Sequence, residues 1–91
     1  MPQEALTNLL FIRQETVDVN NCIQTGIYQT NTNVNNSPDN WCLILVLSNH
    51  IMGSLVQLAV RIDSPSKIFV RTRESSSAAF TEWVKIATTA V

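Results

Sequence analysis

Glycine is almost absent from this chain. Gly26 and Gly53 stand far apart in 91 residues, so a glycine-rich loop that cradles phosphate cannot be built. Histidine occurs once, as His50, inside a turn and with no nucleophile or orienting acid at a useful spacing. Ser75, Ser76 and Ser77 form a polar run without the glycine-flanked context of an elbow nucleophile. Carboxylates do not pair at a spacing that suits acid/base work. These shortages together lead to an expectation of no catalytic residues, no cofactor and no metal.

Cysteine is also scarce. Cys22 and Cys42 fit no metal-ligand spacing. They form either one disulfide or two buried thiols, and synthesis in a reducing cytoplasm favours thiols. Charged residues make up only 14% of the chain and the net charge is −1, so no basic field draws it to nucleic acid. The apolar run LTNLLFI is too short to cross a bilayer and lacks the basic start and small-residue cleavage site of a signal peptide. No membrane insertion is expected.

Uncharged polarity is what the chain has instead. Asn, Thr and Ser occur nine, nine and eight times, a composition typical of extended β assemblies and of secreted or virion proteins. The few charges are uneven. Residues 1–40 carry Arg13 against Glu4, Glu15, Asp18 and Asp39, while residues 41–91 carry more cations than anions. Contacts between the halves, within or between chains, could use that difference, but ordinary scatter of solvated charge accounts for it too.

The length suits one domain with a modest core. Residues 3–14, QEALTNLLFIRQ, place Ala5, Leu6, Leu9 and Leu10 on one side at helical spacing, with Pro2 and Glu4 suited to a first turn. The spacing predicts a helix, although Leu9 to Ile12 is apolar on all sides and would also make a strand. Such a block calls for cover by another chain. Asp18 is a good cap for a short helical turn over Val19 to Cys22. The segment NTNVNNSPDN, residues 31–40, is a loop, because Asn and Asp bond their own backbone and Ser37-Pro38-Asp39 starts a turn.

Strands are expected near 26–30, 41–48, 55–62, 67–73 and 82–87, joined by hairpins at 49–53, 64–66 and 74–81. Short connections make neighbours antiparallel. The fold class is therefore mainly β: an antiparallel meander sheet of four to five strands preceded by an N-terminal helix. Residues 1–17 form the helix or connecting segment and residues 18–91 the β domain. Alternation predicts a buried face of Val56, Leu58, Val60, Ile68 and Val70, fixed by register. It sets Arg71 and Arg73 on the face of Phe69, where a guanidinium can stack on Trp83 across the hairpin.

Two binding readings follow from residue chemistry. Arg71 and Arg73 could grip a carboxylate or phosphate, although alternating arginines on a sheet more often stack or form ion pairs. Tyr28 and Trp41 flank the Asn-rich loop, where aromatic faces with the amides of Asn35 and Asn36 suit a sugar; Trp41 could equally begin a buried strand.

The order of these elements resembles one family. DVNNCIQTGIYQT, then NVNNSPDNW, CLILVLS, LVQLAV, IFVRTRES and FTEWVKI resemble the pyocin knob domain of phage tail fibres and of the fibres of R-type pyocins. The resemblance covers about residues 18–86, and its markers are Thr25 to Tyr28, Val70 to Thr72 and Phe80 to Trp83. Trp41 directly after the Asn/Pro loop and the SNHIMGS hairpin depart from the family pattern. The resemblance implies a non-enzymatic fibre module made in the bacterial cytoplasm that acts outside the cell on a virion. Its partners would be a homotrimer or other fibre chains and, in host attachment, a bacterial surface polysaccharide. Complete fibres are much longer, so the chain would be an excised domain or a small relative encoded in a prophage. The competing reading is a small carbohydrate-active enzyme fragment or another secreted glycan-binding module. The lack of an acid/base pair argues against the enzyme fragment.

Overall fold

The structure, a computed structural model, describes residues 12–49, 51–63 and 66–87. Six strands form one sheet in chain order: β1 (Ile12–Glu15), β2 (Gly26–Gln29), β3 (Cys42–Ser48), β4 (Leu55–Arg61), β5 (Ile68–Arg73) and β6 (Val84–Ile86). Strands β2 to β6 are an antiparallel meander, as the short connections from β3 onward require. β1 runs parallel to β2, since the chain crosses back between them through a 3-10 turn at Val19–Asn21. Asp18 caps that turn, accepting from the Asn20 N–H at 2.9 Å.

The predicted N-terminal helix is corrected where it can be seen. Ile12–Glu15 is strand, and among the described residues the only helical element is the 3-10 turn. The rest of the predicted helix, residues 3–11, lies outside the described residues. β1 falls inside the segment expected to connect, yet it pairs into the same sheet.

The register sets up two faces. Tyr28, Ile44, Ala59 and Phe69 stand in one row across β2 to β5. With Val19, Cys22, Cys42 and Val46 they form the buried core. The expected core is on the opposite face: Val56 is 37% exposed, and Leu58, Val60, Ile68 and Val70 are only half-buried. Pairing was foreseen; the covered side was not. The reason is that the covered side carries polar residues. Gln57 and Arg71 are buried there beside Ala59 and Phe69, and they fasten the irregular layer that covers the sheet.

Arg71 stacks as the hairpin geometry requires. Its guanidinium carbon lies 4.6 Å from the centre of the Trp83 ring and 4.0 Å from that of Phe80. Arg73 donates from Nε and Nη2 to the Gly53 carbonyl at 3.2 and 3.0 Å. Gly53 has φ 75°, and a Cβ there would fall 2.7 Å from the Ser76 backbone nitrogen, so only glycine lets the 49–53 hairpin seat against the serine tip.

Candidate functional site

The candidate site is the Asn-rich loop and the chain beside it. Length would suggest a floppy segment, but backbone and amide bonds brace it from both sides. The Asn35 N–H donates to the Val17 carbonyl at 3.2 Å, and the Val19 N–H donates to the Asn35 carbonyl at 3.0 Å. Asn36 donates from Nδ2 to Asp18 Oδ1 at 2.9 Å, while its carbonyl accepts from Trp83 Nε1 at 2.8 Å. The Asn33 N–H donates to Asn40 Oδ1 at 3.0 Å. Asn33 and Asn36 sit in the left-handed region, with φ of 58° and 61°, where asparagine is tolerated best after glycine.

Two carboxylates hold the loop, Asp18 at its middle through Asn36 and Asp39 at its end. The Asn36 amide, then the Asn20 N–H, keep the Asp18 carboxyl below its ordinary value, with the nearby Arg71 charge adding to this. Asp39 is held down first by the Asn40 N–H and then by Arg61 and Lys67, whose nitrogens lie 3.0 and 3.3 Å away. These contacts join the acidic first half of the chain to its basic second half within one molecule.

Trp41 stands apart from its neighbours. It has φ 54°, a backbone state that bulky side chains rarely adopt, and its side chain is 40% exposed. The backbone is pinned there: the Trp41 N–H donates to the Asn31 carbonyl at 3.1 Å and its carbonyl accepts from the Ile62 N–H at 2.9 Å. The residue therefore precedes β3 rather than starting it as a buried position.

The other anticipated residues separate. Asn35 and Asn36 are exposed on the loop with Trp41. Tyr28 is 4% exposed and its hydroxyl donates to the Gln24 carbonyl, so its ring belongs to the core and not to a sugar platform. Arg71 is buried, and Arg73 is engaged at the hairpin end of the sheet, away from the loop.

A depression of about 380 Å³ lies between Glu15, Thr16 and Val17 on one side and Asn31, Thr32, Asn33 and Val34 on the other. Sequence reasoning missed it because it treated the chain up to residue 14 as helix. Pairing of β1 with β2 brings Glu15 beside the loop. The alternating, β-branched stretch Glu15-Thr16-Val17 was the available signal. The lining offers hydroxyls, amides and one carboxylate. Among the described residues, no group of three or more His, Cys, Asp or Glu side chains could hold a metal ion. His50 lies outside the described residues.

Both cysteines are buried and unbonded. Burial raises the Cys22 and Cys42 thiols above their ordinary values, which opposes thiolate formation. No helix of the described chain is long and apolar enough to cross a membrane. Comparison with protein-family models, with curated proteins and with solved structures gives no match.

Proposed function

We propose that this chain is a non-enzymatic knob module of a phage tail fibre or of a phage-tail-like particle, made in the bacterial cytoplasm and assembled with copies of itself or other fibre chains. Its recognition surface is the 31–40 loop with Trp41 and the adjoining depression, and its ligand class is bacterial surface polysaccharide. One observation carries this reading. A ten-residue loop rich in amides is held rigid on a sheet, yet leaves Asn35, Asn36 and a conformationally constrained Trp41 open to solvent. Ordered amides and an indole face are what sugar hydroxyls and sugar rings need, and a preformed loop loses little entropy on binding. A backbone outlier at an exposed aromatic residue is itself a pointer to function.

The arginine strand takes no part in this recognition. Arg71 is framework, and Arg73 holds the hairpin. No bond is broken in the proposed role.

The test is adsorption. Purified protein is added to candidate host cells and its retention measured, beside the variant Asn35→Ala/Trp41→Gly. Retention of the wild type and its loss in the folded variant support the reading. Equal retention of both would make this module a spacer.

A further inference from the structure

Hydrogen bonds frame the depression beside the loop at both ends. The Thr16 N–H donates to the Gln29 carbonyl at 2.9 Å, and the Asn35 N–H donates to the Val17 carbonyl at 3.2 Å. Between these bonds the chain at 15–17 and the chain at 31–34 line a space of about 380 Å³, within the size of small-ligand sites. Thr16 is buried, and its hydroxyl donates to the Asp18 carbonyl at 3.0 Å, so this wall is held from within. The space is preformed, which lowers the cost of filling it.

Four polar side chains of the lining are unengaged. Among the described residues, the side chains of Glu15, Asn31, Thr32 and Asn33 have no hydrogen bond or ion pair. Asn36 and Asn40 of the same loop differ. Asn36 gives its amide to Asp18, and Asn40 accepts the Asn33 N–H. Glu15 is also the one ionisable group of the described lining. Asp18, Asp39 and Asp63 all have partners, and the cations that reach the loop, Arg61 and Lys67, are both on Asp39. Glu15 thus places a negative charge in a concave polar site with no ion pair among the described residues, and such a site concentrates positive ligands.

We propose that this depression binds a sugar residue that carries a free, protonated amine. The ammonium sits on the Glu15 carboxylate, and the hydroxyls pair with Asn31, Thr32 and Asn33. The inference rests on the sugar-binding reading of the loop and names the class of polysaccharide, one with unacetylated amino sugars. An ammonium–carboxylate hydrogen bond is charge-assisted. Amides and a hydroxyl both donate and accept, as sugar hydroxyls require. The same carboxylate opposes acidic sugars, so it selects against polymers of uronic acid. A bare cation would use Glu15 alone and gain nothing from the three neutral groups.

The test titrates the purified full chain by calorimetry with two probes in mildly acidic, low-salt buffer. One is an oligomer of glucosamine with free amines; the other is the same oligomer fully N-acetylated. Acetylation removes the charge and leaves the ring hydroxyls in place. The wild type should bind the free-amine oligomer about tenfold more tightly, and added salt should narrow the gap. Glu15→Gln, at an exposed position, should bind the two probes equally. If that variant does not fold, the probe ratio and its salt dependence in the wild type decide alone. Equal binding of both probes by the wild type overturns this inference and leaves the sugar-binding reading standing. An undiminished preference in the folded variant overturns it too. Oligolysine binding as tight as that of the free-amine oligomer does the same, since the site would then read charge alone. A preference that needs Glu15 but survives Trp41→Gly supports this inference and takes recognition away from the Trp41 ring. Binding of neither probe overturns the inference, and retention on host cells then decides the broader reading separately.

Discussion

Arg71 and Gln57 face each other across β5 and β4, and Arg71 donates from Nε to Gln57 Oε1 at 2.7 Å in the buried layer. Gln57 in turn donates from Nε2 to the Val19 and Cys22 carbonyls, both at 2.9 Å. Arg71 donates from Nη2 to Asn20 Oδ1 at 2.8 Å. Two side chains thus fasten the 3-10 turn to the middle of the sheet. Burial pushes the Arg71 guanidinium down to about 10, so it remains charged at neutral pH. Its desolvation is offset by amide oxygens and two ring faces in place of a direct ion pair.

Removing either member should be costly. Gln57→Leu takes an acceptor from the buried Arg71 guanidinium, which keeps Asn20, and a donor from the Val19 and Cys22 carbonyls, and should lower unfolding free energy by about 2–4 kcal/mol. In Gln57→Leu/Arg71→Met the loss should be clearly smaller than the sum of the single losses, since the buried guanidinium is gone. A double-mutant cycle from urea unfolding checks this.

Trp41 offers the opposite case. Glycine adopts its backbone state without strain, and relief of about 1–2 kcal/mol should offset the packing lost with the ring. Trp41→Gly should therefore unfold within about 1 kcal/mol of the wild type, as measured by thermal or urea unfolding.

The thiols should be inert in the folded state. Cys22 and Cys42 are buried with raised thiol values, so a thiol reagent at pH 8 should label the native protein slowly. Both should react at once in denaturant. Rapid labelling of either in the native state would contradict their placement in the core.

Acid should loosen the loop. Asp18, Asp39 and Asp63 all titrate below the ordinary 3.8 in the folded chain. A depressed carboxyl contributes stability above its unfolded value and loses it as pH falls through the folded value. Stability should hold from neutral pH to about 4 as far as these groups are concerned, and fall below that. Asp39→Asn should flatten the fall, which chemical unfolding at a series of pH values would show.

Strand positions were legible because alternation and turn residues are local signals. The hairpins at 49–53 and around Ser75–Ser77, the Asp18 cap and the stacking of Arg71 on Trp83 could all be read from spacing. The covered face was not legible. On β4 the apolar alternation Val56, Leu58, Val60 points away from the core, and the true core positions include Gln57. A buried polar residue looks like a surface residue until its partners are known, and those partners lie 35 and 38 residues away along the chain. Tyr28 was misplaced as a surface ring for the same reason. Strand β1 was missed because its four residues, Ile12-Arg13-Gln14-Glu15, hold a single apolar side chain and show no alternation of their own, so the helical spacing of Leu6, Leu9 and Leu10 before them was carried through.

The most direct test is binding of purified full-length chain to an array of bacterial surface polysaccharides, with Trp41→Gly alongside and the bound glycans recovered and sized. The result expected is wild-type binding to a subset of glycans, loss of that binding in a variant of equal stability, and glycans recovered at their original length. Absence of binding across hosts, binding unaffected by loss of the Trp41 ring, or recovery of shortened glycans would contradict a non-enzymatic sugar-binding role for this loop.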